Sequence, residues 1–304
     1  ADRFETAAAI ASLQASLAPV GLTSVAGVPY KTAIVVQGGK FRDALAAGTL
    51  AHREHLPMLL TKPDELPTAT STSLTTLGIG RVIIMGGTSA VSQEVEDAIK
   101  ALGTGIVTTR VAGENAGATA AALADMLVAP VASGGFNMFG GGAVGAACLG
   151  TGNVGPNMVL LVSSNSFADG MVSAPQAGIC AAPILYAGSA DTCAFVTKNA
   201  LKVGLIKSIG GLSAVSAADA TAAKTCATLS TPTGTITAEV NSSLITVTFS
   251  ERMVDLAGTT VVKINNAAIP CVPGAALTAF PAAVAPGVCN LVTLPTGTTS
   301  TLLT

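Results

Sequence analysis

Twenty residues of this chain occur in two related versions. Positions 41–60 read FRDALAAGTLAHREHLPMLL, and positions 167–186 read FADGMVSAPQAGICAAPILY. Phe41 aligns with Phe167, Asp43 with Asp169 and Pro57 with Pro183, without a gap and at a constant offset of 126. A chain that repeats a helix-to-strand step in this way is expected to hold two sister building blocks.

The first block reads element by element. FETAAAIASLQASL (4–17) is a strong helix former, and TAIVVQGG (32–39) is a short apolar run ending in a glycine turn. FRDALAAGTLAHREH is helical, and PMLLT (57–61) and RVIIMGG (81–87) are two more short apolar runs. SQEVEDAIKALG (92–103) is the clearest helix, with Val91, Val95, Ala98, Ile99 and Leu102 on one stripe. Ser92 caps it, Glu94, Glu96 and Asp97 complement its amino-terminal dipole, and Gly103 stops it. GIVTTRVAG (105–113) closes the block. The runs Ala33–Val36 and Val82–Met85 do not alternate with polar residues. Strands apolar on both faces belong in a parallel sheet covered by helices, joined by right-handed crossovers.

The second block begins at RVAGENAGATAAALA (110–124) and continues through MVLLVSSNSF (158–167), PILYA (183–187) and SIGGLSAVS (208–216). Ser216 and Asp219 form a capping-box pattern. A Gly-rich insertion at roughly 132–156 separates its first helix from its first strand, too long for an ordinary connector. After Cys226 the character changes. TPTGTITAEV and LITVTFSERM alternate, Ile245, Val247 and Phe249 facing one way and Thr246 and Thr248 the other, and TVVKINNAAI follows with an Asn265–Asn266 turn. Alternation of this kind marks a half-buried antiparallel sheet, here a β-sandwich with barely enough sequence for its strands. The expected architecture is α/β: two tandem Rossmann-like parallel-sheet repeats (1–113 and 114–226) and a C-terminal all-β Ig-like sandwich (231–304), truncated if anything.

Composition narrows the function. Charged residues make up 11% of the chain against 50% hydrophobic, with a net charge of −2. Nucleic-acid binding needs clustered Lys and Arg, so it is excluded. Low charge suits a surface packed against copies of itself or against a wall. The longest charge-free stretch, between Asp125 and Asp169, is broken by Pro130, Pro156 and many glycines, so no membrane-spanning helix is expected. No basic and apolar leader pattern opens the sequence, so a signal peptide is expected to be already absent. Six cysteines, Cys148, Cys180, Cys193, Cys226, Cys271 and Cys289, lie at wide spacings in the second half. They read as disulfides in an oxidising compartment, with Cys271–Cys289, Cys180–Cys193 and Cys148–Cys226 as the expected pairs.

The segments DRFETAAAIA, FRDALAAGTLA, PMLLT, RVIIMGGTSAVS and RVAG, in this order and spacing, resemble the cell wall-binding repeat type 2 family. The resemblance covers 1–113 well and 110–226 more loosely. It implies Rossmann-like modules, usually three together, on bacterial surface proteins, attached without covalent bonds to anionic wall polymers and often found in S-layer or adhesin architectures. ITVTFSERM resembles bacterial Ig-like domains of extracellular proteins. The second block departs from the pattern, with Ala116-Gly117-Ala118 where the first has Arg3-Phe4-Glu5. Residues 1–113 carry nine Lys/Arg, whereas 114–226 carry four Lys, so a polyanion surface is expected in the first block and a scaffold or assembly surface in the second.

Arg3, Arg42, Asp43, Arg81 and Arg110 recur at loop or strand ends. They form either a polar rim for anionic polymer or internal pairs that orient helices, the latter favoured for Asp43 and Arg3. His52 and His55 are three apart on a helix without a third ligand at a recognisable spacing, which suits surface histidines better than a metal site. Gly140–Gly145 fits G-x-G-x-x-G but lies inside the insertion, outside the strand-turn-helix setting a dinucleotide requires. The turns QGGK (37–40) and MGGT (85–88) follow strands, where a bound anion or plain turn chemistry would each account for the glycines. No cofactor is expected; calcium bridging through Asp64 and Glu65, or through Glu251 and Asp255, stays open. No catalytic motif is present, and with 3% aromatics and no Trp a lectin-type stacking platform is not expected. The leading expectation is a noncatalytic, secreted bacterial surface protein that binds anionic wall polymer and copies of itself. A nucleotide-binding protein or enzyme on Rossmann-like layers, and an adhesin working through the insertion, are the alternatives.

Overall fold

The structure, a computed structural model, describes residues 2–103, 105–139, 148, 157–200 and 202–227, with the backbone of strands at 234–238, 245–249, 261–264, 267–270 and 288–290. The chain divides into two units, Ala1–Thr228 and Leu229–Thr304.

In the first unit the spine of the first sheet is β2 (Val28–Gln37), ten residues long. Its first part pairs antiparallel with β1 (Leu22–Val25) across a turn in which Ala26 and Gly27 both have positive φ, 50° and 82°. Ile34–Gln37 pair in parallel with β3 (Met58–Thr61), and Thr32–Val35 pair in parallel with β4 (Arg81–Met85) on the other side. β5 (Val107–Val111) continues the parallel order beyond β4. Ala33, Val35, Val82 and Ile84 meet Ala11 of α1 (Arg3–Leu17), Leu74 of α3 (Thr68–Thr76) and Val95 and Ile99 of α4 (Gln93–Ala101). Ile34, Val36, Ile83 and Met85 face the other way, onto Ala46, Ala47 and Leu50 of α2 (Phe41–Arg53). Both faces are dry, which is why these runs carry no polar alternation.

The same succession recurs after α5 (Ala116–Val128). β6 (Asn157–Val162) lies between β7 (Ile184–Tyr186) and β8 (Val203–Ser208), all parallel, as β2 lies between β3 and β4. α6 (Ala168–Ile179), α7 (Ala190–Lys198) and α8 (Ala217–Ala227) complete it. The two sheets are separate, but the inner face of the first and the core of the second form one hydrophobic cluster.

They meet through α2 and α6. The Phe41 and Phe167 rings stand 5.9 Å apart at one end, a Cβ on Gly48 would stand 2.6 Å from the Cβ of Ala174 in the middle, and His52 lies against Gly178 at the other. Each residue thus meets its own counterpart 126 positions on, so the helices run parallel and in register. Small residues at a spacing of four on α6 (Gly170, Ala174, Gly178) make the close approach possible. Thr49 adds a buried hydrogen bond, its Oγ1 donating to the Ala182 carbonyl at 2.7 Å.

The cysteines pair differently from the sequence expectation: Cys148 with Cys180 and Cys193 with Cys226, with Cα separations of 5.3 and 5.4 Å. Cys180 ends α6 just before β7, and Cys193 lies in α7 just after it. The strand therefore separates the two, whereas a disulfide needs Cα atoms within about 7 Å. Cys193 instead meets α8, which packs beside α7, and Cys148 ties the insertion to the end of α6. The expected Cys271–Cys289 pair lies outside the described residues, as do the Asn265–Asn266 turn and Gly140–Gly145.

In the second unit β9 (Gly234–Ala238) and β13 (Val288–Asn290) flank β10 (Ile245–Phe249), both antiparallel to it. β11 (Val261–Ile264) pairs antiparallel with β12 (Ala267–Pro270).

Candidate functional site

The parallel strands β2, β4 and β5 all end at the same edge of the first sheet, and adjacent β2 and β4 are not consecutive in the chain. Open α/β sheets bind ligands beside such a switch in strand order, at the carboxyl ends of the strands. Three glycine-bearing loops leave this edge. Gly38–Lys40 runs from β2 into α2, Gly86–Ser92 from β4 towards α4, and Ala112–Asn115 from β5 into α5. Together they enclose a cavity of about 330 Å³, whose lining includes Lys40, Phe41, Arg42, Asp43, Gly86, Gly87, Ser89, Glu114 and Asn115.

Asp43 is the third residue of α2 and only 8% exposed. Its Oδ2 would lie 2.9 Å from a Cβ on Gly86, whose φ is +100°, so glycine is required there by both space and backbone. The Asp43 carboxylate has no hydrogen bond to any described residue. Burial pushes its carboxyl above the ordinary value, and the nearby charges of Lys40 and Arg42 work against that shift.

The second sheet braces this wall. The Tyr186 hydroxyl donates to the Arg42 carbonyl, and Arg42 Nε donates to the Ser164 carbonyl at 2.8 Å. Burial drives the Tyr186 phenol upward, and the Asp43 charge adds to that shift. In the second half the same relationship recurs: a Cβ on Gly210 would lie 2.5 Å from Asp169 Oδ2, although Asp169 is less enclosed.

The five residues singled out from the sequence do not converge. Arg42 and Asp43 line the cavity. Arg110 braces it from behind: its Nη1 donates to the Gly86 and Val91 carbonyls at 3.0 and 2.7 Å, and its Nη2 pairs with Glu96 Oε2 at 2.7 Å. Burial raises the Glu96 carboxyl, but hydrogen bonds from Lys100, Thr108 and Arg110 outweigh it and hold the group at about 2. Arg3 Nη1 donates to the Gly38 carbonyl at 2.7 Å, fixing the start of α1 to the turn after β2. Arg81 opens β4, at the opposite edge, and is 2% exposed. It donates to Thr23 Oγ1 at 2.8 Å and to Thr109 Oγ1 at 3.3 Å, and so presents no surface to a polymer. Lys40 is marked in the sequence only as the last residue of the QGGK turn, whereas Glu114 and Asn115 go unmarked; their signal is position, directly after a strand and before a helix.

Among the described residues no group of three or more His, Cys, Asp and Glu is placed to hold a metal ion. Glu65 pairs with Lys62 at 2.7 Å, and Glu251 and Asp255 lie outside the described residues.

Residues 1–96 match the family model of cell wall binding domain 2 (CWB2). The matched span carries the β2–α2 turn, Asp43 and the Gly86–Gly87 loop. The N-acetylmuramoyl-L-alanine amidase LytC of Bacillus subtilis (strain 168) is 42% identical over 93 residues, 31% of this chain and 18% of the relative. The Amidase enhancer of the same strain is 32% identical over 84 residues, 28% of this chain and 12% of the relative. Among solved structures, Cwp6 from Clostridium difficile has a TM-score of 0.53 at 21% identity, covering 71% of this chain and 29% of that one. Cwp8 from the same organism has a TM-score of 0.52 at 22% identity, covering 74% and 33%. The chain thus spans under a fifth of the curated relatives and about a third of the structural ones. The structural likeness shows a shared mixed α/β fold with parallel sheets. No helix among the described residues is long and apolar enough to cross a membrane.

Proposed function

We propose that this protein is a noncatalytic component of a bacterial cell surface, holding to an anionic wall polymer through its first α/β block. The match of residues 1–96 to cell wall binding domain 2 carries this reading. The cavity at the sheet edge supports the attachment reading by offering Lys40 and Arg42, both exposed, to a negatively charged chain. The disulfides Cys148–Cys180 and Cys193–Cys226 fit an oxidising location.

The second block serves assembly with copies of this chain. Leu45 is 7% exposed against Gly170, while Met171, its counterpart 126 positions on, is 52% exposed beside Val172 and Ile179 at 74% and 57%. An apolar face of this kind on an otherwise ordinary helix favours association. In this reading strands β9–β13 form an Ig-like module that extends from the wall.

Sedimentation of the purified chain with isolated cell walls tests the proposal. The chain pellets with intact walls and stays in solution with walls stripped of their anionic polymer. Equal pelleting with both, or with neither, contradicts it.

A further inference from the structure

Helices α1 and α5 open the two blocks in the same way. Asn115 accepts a hydrogen bond from the Ala118 amide as Asp2 accepts one from the Glu5 amide. Counted from these caps, Ala11 corresponds to Ala124, Ile10 to Leu123 and Leu13 to Met126. Ala11 and Ala124 are both buried. The neighbouring face differs: Leu123 is 1% exposed, whereas Ile10 is 60% exposed, on a stripe with Leu13 and Leu17, which are also exposed.

The difference follows from what stands in front of each helix. α5 packs on α7 and β7 of its own block and also on α2 of the first. α1 packs on β3 and α3, both of its own block. α6 carries the other half of the discrepancy. Leu45 and Ala46 of α2, which is flanked by α5 and α6, are 7% and 1% exposed. Their counterparts on α6, Met171 and Val172, are 52% and 74% exposed. Among the described residues, one contact of an opening helix on an α2-type helix is therefore complete. A second exists only as its two halves, the α1 stripe and the α6 face.

We propose that these halves join two copies of the chain, with α1 of one copy lying on α6 of the next as α5 lies on α2 within each. The proposal rests on the assembly reading given to the second block and supplies the surface that receives it. The occupant is a second copy because the complementary face is part of this chain, and the packing it requires is already realised once inside it. The contact is heterologous, α1 against α6. Each joined pair leaves one stripe and one face free, so growth runs head to tail and does not stop at a two-fold dimer.

Two substitutions read the halves separately in the full chain. Ile10→Glu places a charge in the α1 stripe, and Val172→Glu places one in the α6 face. Both side chains are exposed in the single copy, so the fold is kept, which circular dichroism checks. Sedimentation velocity of the parent over a dilution series should show growth beyond a dimer as concentration rises. Each variant alone should associate about a hundredfold more weakly, because an unpaired charge would be buried in the contact. An equimolar mixture of the two should form a dimer and stop there, since it holds one intact stripe and one intact face. That rescue also shows that neither variant is misfolded. Either variant associating like the parent overturns the proposal. Ile10→Glu doing so while Val172→Glu does not would mean that α6 pairs with α6, which leaves assembly through the second block standing. A mixture that stays monomeric overturns the α1–α6 contact. A parent that is monomeric at every concentration overturns it and removes the assembly reading as well, while pelleting with walls still decides attachment.

Discussion

Gly48 and Ala174 touch across the α2–α6 contact so closely that a Cβ on Gly48 would stand 2.6 Å from that of Ala174. No real pair of carbons sits at that distance, and neither partner has a flexible side chain to swing aside. Gly48→Ala must therefore push the two helices apart along their whole register, from Phe41–Phe167 to His52–Gly178. Overpacking of this kind costs about 1–3 kcal/mol. Urea unfolding should show the unfolding free energy falling by that amount and the midpoint falling with it, with Gly48→Val worse. An unchanged midpoint would mean that the two sheets are not docked this way.

The disulfides are confined to the second half, so reduction should act there first. Replacing Cys193 and Cys226 together by serine opens a loop with a sequence separation of 33 and should cost about 3 kcal/mol. Hydrogen exchange should rise in α7 and α8 while β2 and β4 stay protected. Mass mapping of the native protein should recover Cys148–Cys180 and Cys193–Cys226 peptides.

Glu96 gives the first unit an acid-sensitive lock. Its carboxyl is held at about 2 against an ordinary 4.5, so its contribution is fully present above the ordinary value and is lost as pH falls towards 2. A shift of that size corresponds to something on the order of 3 kcal/mol. Glu96→Gln should therefore lower stability at pH 7 and show a flatter acid limb than the parent between pH 5 and about 2. Arg110 loses its carboxylate in that variant, which should also loosen the Gly86 loop that it braces.

Asp43 behaves in the opposite sense. Burial raises its carboxyl above the ordinary 3.8, so the folded state favours the protonated form. The associated stability is present below the ordinary value and disappears as pH rises through the folded one. Asp43→Asn should be at least as stable as the parent at pH 7, and its advantage should vanish below pH 3.8. Thermal melts across that range check the sign. A variant less stable than the parent at neutral pH would mean that the carboxylate has a partner in the folded chain.

The buried parallel strands were legible because Ala33–Val36 and Val82–Met85 are apolar at every position, a pattern that only a sheet covered on both faces imposes. The α4 helix was legible from its stripe and its Ser92 cap, whose Oγ accepts from Val95 N. The α3 helix was not, because TATSTSLTT has no apolar stripe. It is held by Leu74 alone among large side chains and by hydroxyls bonded to the backbone, such as Thr75 to Ser71. The β1–β2 hairpin was hidden by a turn at Ala26–Gly27 that lacks the usual Asn-Gly or Asp-Gly pair. Cysteine pairing depends on which helices lie side by side, and spacing carries no record of that. Repetition picked out Asp43 but said nothing of its burial, since the cavity is closed by loops from three separate strands and α5. Arg81 reads as a surface cation, yet its place at the start of a central strand puts it under the β1–β2 hairpin.

Hydrogen exchange of the full chain with and without solubilised wall polymer tests most directly whether the sheet edge of the first block is what meets the wall. New protection is expected in the segments that frame the cavity, 38–43, 86–90 and 113–116. Protection confined to the outer face of α6, to the Arg81 edge or to the strands beyond Thr228 would contradict it.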